Sequence, residues 1–234
     1  MWLAGIDGCK AGWICASRNT STGELRFDLM ASAAALLDLP HHPEVLCIDI
    51  PIGLPDCGGR ECDREARRLL GRPRGSSVFP APIRPALKAS TREEASRITE
   101  RADGRRVGAQ AWALHPKIRA VDELLASRSE ARTRLREVHP EVSFWAWNEG
   151  RAIQAGKKTP DGKKARLRLV EAWLSPGLLD VLRKNHRAQD VGDDDVLDAI
   201  AALWTAARVA DGSALTLPAP PPLDAVGLRM EIVY

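Results

Sequence analysis

Met1-Trp2-Leu3-Ala4-Gly5-Ile6-Asp7 is an apolar run that closes on a carboxylate. The run has the length and composition of a buried first strand. A carboxylate at the end of such a strand is costly unless it is paired, hydrogen-bonded or bound to a metal. Gly8-Cys9-Lys10-Ala11-Gly12 then reads as a turn into a second apolar strand, Gly12–Arg18. The pattern repeats further on, where Val45-Leu46-Cys47-Ile48 runs into Asp49 just before Ile50-Pro51. Two strand-end acids from distant parts of one chain point to one shared site.

Working outward, Asn19-Thr20-Ser21-Thr22-Gly23 is a turn cluster, and Glu24–Met30 a third strand. Ser32–Leu39 reads as a short crossover helix stopped by Pro40, and Glu44–Ile50 as the fourth strand. Three antiparallel strands, a crossover and a parallel strand make a mixed sheet. A fifth strand is predicted at Arg134–His139, and Met230–Tyr234 is read as an edge strand. Helices are predicted at Asp63–Leu70, at Thr91–Asp103 with a capping box, at Gln110–Ala126 with a bend at Pro116, and from Thr159-Pro160 to Trp173. Asp193–Ala210 is the strongest helix, because Val196, Leu197, Ile200, Leu203 and Trp204 recur at helical spacing. The expected organisation is one domain over residues 1–234, with a mainly helical basic insertion at about residues 56–133.

Composition sets limits. A hydrophobic fraction of 44% over 234 residues supports a real core. The net charge of +3 is too small to demand an anionic partner. Its distribution says more: Arg60 to Arg136 holds 19 Lys and Arg against 10 Asp and Glu, so the rest of the chain is acidic. A basic segment beside an acidic core suits a polyanion held at a metal site, although a solvated Arg-rich surface gives the same count. The five cysteines include three in or beside strand runs, where they read as core, and Cys57 and Cys62 lack the partners of a zinc site. There is no signal-peptide pattern and no membrane-spanning run, so the expectation is a reduced, cytoplasmic protein with no membrane partner.

The last helix opens Gly192-Asp193-Asp194-Asp195-Val196-Leu197-Asp198-Ala199. Capping and the helix dipole account for Asp193 and Asp194. They account poorly for Asp198, about a turn inside and on one face with Asp195. Ala199, Ala201 and Ala202 allow this helix close to a sheet. The acid set is therefore Asp7, Asp49, Asp195 and Asp198, joined by Glu141 or Glu137 near the fifth strand, with Glu141 preferred. Oxygen donors without a His/Cys cluster favour Mg²⁺ or Mn²⁺. Two such ions about 3.5–4 Å apart suit phosphodiester cleavage.

This order of elements resembles the RNase H-like superfamily, and the late Asp-x-x-Asp-Ala resembles the RuvC-type resolvases. More narrowly, GIDGCKAGW (5–13), IDIPIGLP (48–55) and RECDREARRLLGRPRGSSVFPAP (60–82) are similar to an uncharacterised prokaryotic family of predicted RNase H-fold nucleases. So are QAWALHPKIRAVDELL (110–125), EVHPEVSFWAW (137–147) and DDDVLDAIAALWTA (193–206). The resemblance implies an α/β fold, a mixed five-stranded sheet with helices on both faces and helical insertions. It also implies nuclease activity on DNA or RNA. Asp7, Asp49 and Asp198 match the first-strand, fourth-strand and late-helix acids, and Glu141 matches the acid of HPEVSF. Asp49 stands where RuvC-type enzymes carry Glu.

Arg74, Ser76, Ser77 and Lys117 are candidate substrate-binding residues. His115 and His139 read as satisfied, partly buried histidines, the seven Trp residues as mostly core, and Lys157-Lys158 with Lys163-Lys164 as an exposed loop. The leading expectation is a Mg²⁺/Mn²⁺-dependent nuclease acting on nucleic acid, with a homodimer left open. Its competitors are an ATP-binding phosphotransferase of the actin/sugar-kinase type and a non-catalytic nucleic-acid or protein binding module.

Overall fold

β1 (Trp2–Cys9) is the central strand of a five-stranded mixed sheet in the order β3-β2-β1-β4-β5. The computed structural model describes residues 1–234. β2 (Gly12–Asn19) and β3 (Leu25–Met30) extend the sheet on one side in antiparallel fashion. β4 (Val45–Ile48) and β5 (Leu135–Glu137) add parallel strands on the other. The fold is α/β with helices packed on the sheet, and is consistent with the RNase H-like arrangement expected.

Strand alternation decides which face each side chain meets. Ala4 and Ile6 of β1, with Leu46 and Ile48 of β4, join Ile118 and Val121 in one core cluster. Ile118 and Val121 belong to α3 (Ala109–Ser127), which contains Pro116. Leu3 and Cys9 of β1, with Cys47 of β4, join Ile200 and Leu203 in the opposite cluster. These last two belong to α8 (Asp193–Asp211). By the same alternation Asp7 and Asp49, at odd positions, belong to the α8 side. Gly5 explains how close that helix comes. A Cβ there would lie 2.0 Å from the Leu203 nitrogen and 2.1 Å from the Ala199 oxygen, so only glycine admits the contact.

Two sequence expectations change, and one helix appears that the sequence did not announce. The crossover between β3 and β4 is a single 3₁₀ turn, Ala34–Leu37, rather than a helix over Ser32–Leu39. Met230–Tyr234 does not extend the main sheet as a strand. β7 (Ile232–Val233) pairs with β6 (Thr216–Leu217) and touches the sheet only through a bridge from Val233 to Val138. The segment after β5 is helical, α5 (Pro140–Trp147). Pro140 takes the first helical position, where its missing N–H costs nothing.

Between β4 and β5 stand α1 (Glu61–Leu70), α2 (Arg92–Asp103), α3 and α4 (Ser129–Arg134). Thr91 caps α2 by accepting from the Glu94 N–H, while the Glu94 carboxylate accepts from the Ser90 N–H, one residue short of the Thr91 N–H that a capping box would use. Thr159 caps α6 (Pro160–Trp173), so Pro160-Asp161-Gly162 is a first helical turn. α7 (Leu178–Arg183) completes the helices. No helix is long and apolar enough to cross a membrane.

Candidate active site

β1 and β4 run parallel with Ile6 opposite Ile48, and the Asp49 N–H donates to the Ile6 carbonyl at 3.0 Å. Asp7 and Asp49 are therefore neighbours where the ladder ends. α8 lies across them, and its contact at Gly5 brings Asp198 over the same spot. Carboxylate oxygens of Asp7, Asp49 and Asp198 all lie within 4.8 Å of one another. Asp7 and Asp198 are buried and Asp49 is partly so.

This concentration of charge shows in the acidities. Burial, then Asp49 and Asp198, hold the Asp7 carboxyl well above the ordinary range. Burial and Asp198 push Asp49 up to about 8. Burial raises Asp198 to about 6, with Lys157 opposing. Lys157 Nζ lies 2.6 Å from Asp198 Oδ2. Burial works against the Lys157 charge, but Asp198, Asp7 and Asp49 outweigh it and raise its pKa. The lysine read as part of an exposed loop is thus the one cation placed directly on the acid triad.

The triad forms part of a cavity of about 350 Å³. Asp195, Glu141, Arg74, Ser77 and Lys117 also line it, so most of the predicted site converges. Their roles need correction. Asp195 lies outside the group of three, and its carboxylate accepts the Gly192 N–H at 2.9 Å, a helix cap rather than a free ligand. Glu141 is held by Arg74 at 2.8 Å and Arg166 at 2.6 Å, so Arg74 is engaged with a carboxylate in this structure. Lys117 donates to the Gly12 carbonyl and stands 4.4 Å from the Trp13 ring centroid. Ser77 donates to the Arg74 carbonyl. Ser76 does not line this cavity; it donates to the Pro73 carbonyl and lines a separate groove.

Glu137, the alternative to Glu141, also lines the cavity but is held in a buried ion-pair network. Arg60 grips it with two hydrogen bonds of 2.6 Å and also holds Asp63, while the Ile52 N–H donates to Glu137 at 2.6 Å. All three side chains are buried. Burial raises Glu137 to about 7 against the opposing pull of Arg60. This lock fastens the chain leaving Asp49 to α1 and β5.

His139 lines the cavity too. Nε2 faces the Ser77 carbonyl at 3.4 Å, and buried Nδ1 has no partner. Burial lowers its pKa, so the ring is neutral at pH 7 and offers a polar atom to a ligand. His115 is satisfied as expected, against the Ala86 carbonyl at 3.0 Å. Of the seven tryptophans only Trp13 is fully buried; the others pack with one edge towards solvent.

The donor chemistry fits a hard divalent cation. Three carboxylates converge, neither His nor Cys belongs to the group, and a lysine ammonium pairs with one of the three. No curated protein and no solved structure matches the chain. A profile described as "Protein of unknown function (DUF429)" matches residues 5–223, spanning both strand-end acids and α8, and the chain belongs to that family.

Proposed function

We propose that this protein hydrolyses phosphodiester bonds in nucleic acid with Mg²⁺ or Mn²⁺, as a nuclease of the RNase H-like superfamily. The observation carrying the proposal is the convergence of Asp7, Asp49 and Asp198 from two parallel strands and one helix. Metal ions bound there supply Lewis acidity towards the phosphoryl group and lower the pKa of water. Asp7 and Asp49 hold the metal, and Asp198 completes the donor set. Lys157 occupies only Oδ2 of Asp198, and its departure would free both oxygens of that carboxylate. Released into the cavity, its ammonium is positioned to neutralise a phosphate oxygen. Lys117 adds a cation on the β1 side, and neutral His139 offers its open nitrogen as a hydrogen-bond partner. Glu141, between two arginines, positions Arg74 and Arg166 rather than binding metal.

Purified protein incubated with labelled DNA and RNA in Mg²⁺ or Mn²⁺ tests the reading. Cleavage is expected, with a fall of more than about 100-fold in Asp7→Asn and Asp198→Asn. Activity that survives both substitutions overturns the assignment.

A further inference from the structure

Beside the acid cavity lies a second concavity of about 630 Å³, and the two share Val78 and Phe79. Its charged lining consists of Arg67, Arg68, Arg72 and Arg105, without one Asp or Glu. The cavity next door contains the acid triad. A strongly positive groove therefore opens, across one aromatic residue, into an acid-floored pocket.

The arginines are only lightly committed. Arg72 is exposed and makes no hydrogen bond or ion pair. Arg67 has no carboxylate partner and uses Nε on the Val78 carbonyl, leaving the rest of its guanidinium free. Arg68 is 69% exposed and shares Glu61 with Arg64. Arg105 pairs with Asp103 at 2.6 Å on the surface. Phe79, at the junction, is 40% exposed, which leaves its ring open to a stacking partner. Ser76, read from sequence as a phosphate contact, also lines this groove.

The geometry points to a track for single-stranded nucleic acid, in which the arginines hold successive phosphates, Phe79 stacks a base and the next phosphodiester enters the acid cavity. The inference rests on the nucleic-acid reading of that cavity and narrows its substrate. A positive groove with an interleaved aromatic ring is the usual means of holding a single strand without reading its sequence. A duplex keeps its bases paired inside and offers Phe79 no exposed ring to stack on. The acids also lie in a pocket of nucleotide dimensions, with Asp7 and Asp198 buried.

The test is binding of a fluorescein-labelled single-stranded oligonucleotide, followed by anisotropy in EDTA so that no turnover occurs. The double variant Arg68→Gln/Arg72→Gln, both positions exposed, should weaken binding about tenfold and reduce the salt slope by about 1.4, the loss of two phosphate contacts. Phe79→Ala should weaken binding about tenfold with an unchanged salt slope. Arg26→Gln, on the far edge of the sheet, should do neither. Thermal melts of each variant confirm folding. Equal losses with Arg26→Gln, wild-type binding by the double variant, or a duplex bound as tightly as the single strand would each overturn the track. Failure of the nuclease reading looks different: groove-dependent binding persists, in wild type and in Asp7→Asn, while no bond is cut in Mg²⁺ or Mn²⁺.

Discussion

Two groups of buried or partly buried acids sit side by side at the end of the parallel strands, and they differ in how far cations balance them. Glu137, Asp63 and Glu141 are matched by Arg60, Arg74 and Arg166 through hydrogen bonds of 2.6–2.8 Å. Asp7, Asp49 and Asp198 have one lysine among them, and it contacts Asp198. A matched set is architecture: its ions satisfy each other and fix the surrounding chain. An unmatched set is a standing deficit of positive charge, and there the like-charged neighbours add to burial in raising the pKa of Asp7 and Asp49. Burial alone does not distinguish function from framework here; charge balance does.

The sharpest way to break the comparison is to unbalance the matched set. Arg60→Met strands Glu137 and Asp63 without a counter-ion, and should cost about 3–5 kcal/mol in denaturant unfolding. A loss below about 1 kcal/mol would remove the distinction between the two groups. Next comes the cation itself. Mn²⁺ or Mg²⁺ at about 100 times its Kd should stabilise the protein by about 2.7 kcal/mol, read as a rise in melting temperature. Asp7→Asn and Asp49→Asn should abolish that rise and Glu141→Gln should keep it. Loss of the rise in Glu141→Gln would transfer Glu141 to the metal set.

The smallest effect is on pH. Asp49 is raised from 3.8 to about 8 and Asp198 from 3.8 to about 6 in the folded protein. Between those limits the folded state binds more protons than the unfolded state, so metal-free stability falls as pH rises from about 4 to about 8. Glu137, raised to about 7, adds to the same trend. Asp7→Asn removes a like charge from the triad and should flatten the fall by about 1–2 kcal/mol, without touching the Glu137 part. A parallel pH profile in melts of wild type and Asp7→Asn would contradict this.

The triad was legible because each acid broke a local pattern. Asp7 and Asp49 ended apolar strands, and Asp198 lay too deep in its helix to be a cap. Asp195 stands apart because a capping acid and a ligand share that position, and the structure shows its carboxylate accepting the Gly192 N–H. Lys157 carried no signal: it sits in a lysine-rich connection, and its partner lies 41 residues away. Arg60 and Glu137 are 77 residues apart, so no periodicity could join them. α5 was missed because PEVSFWAW lacks the alternating polar face that marks a helix in sequence, as expected of a segment with Val142, Ser143 and Phe144 all buried.

Gly5 makes the site a matter of main chain rather than side chain. Because β1 and α8 touch backbone to backbone there, the spacing of Asp7 and Asp198 is set by two rigid elements in direct contact, with no cushion of side chains between them. The core around them can change its residues and leave that spacing alone. A single methyl group at position 5 cannot be accommodated in the same way: it acts as a wedge between strand and helix and prises the acids apart without itself touching a substrate.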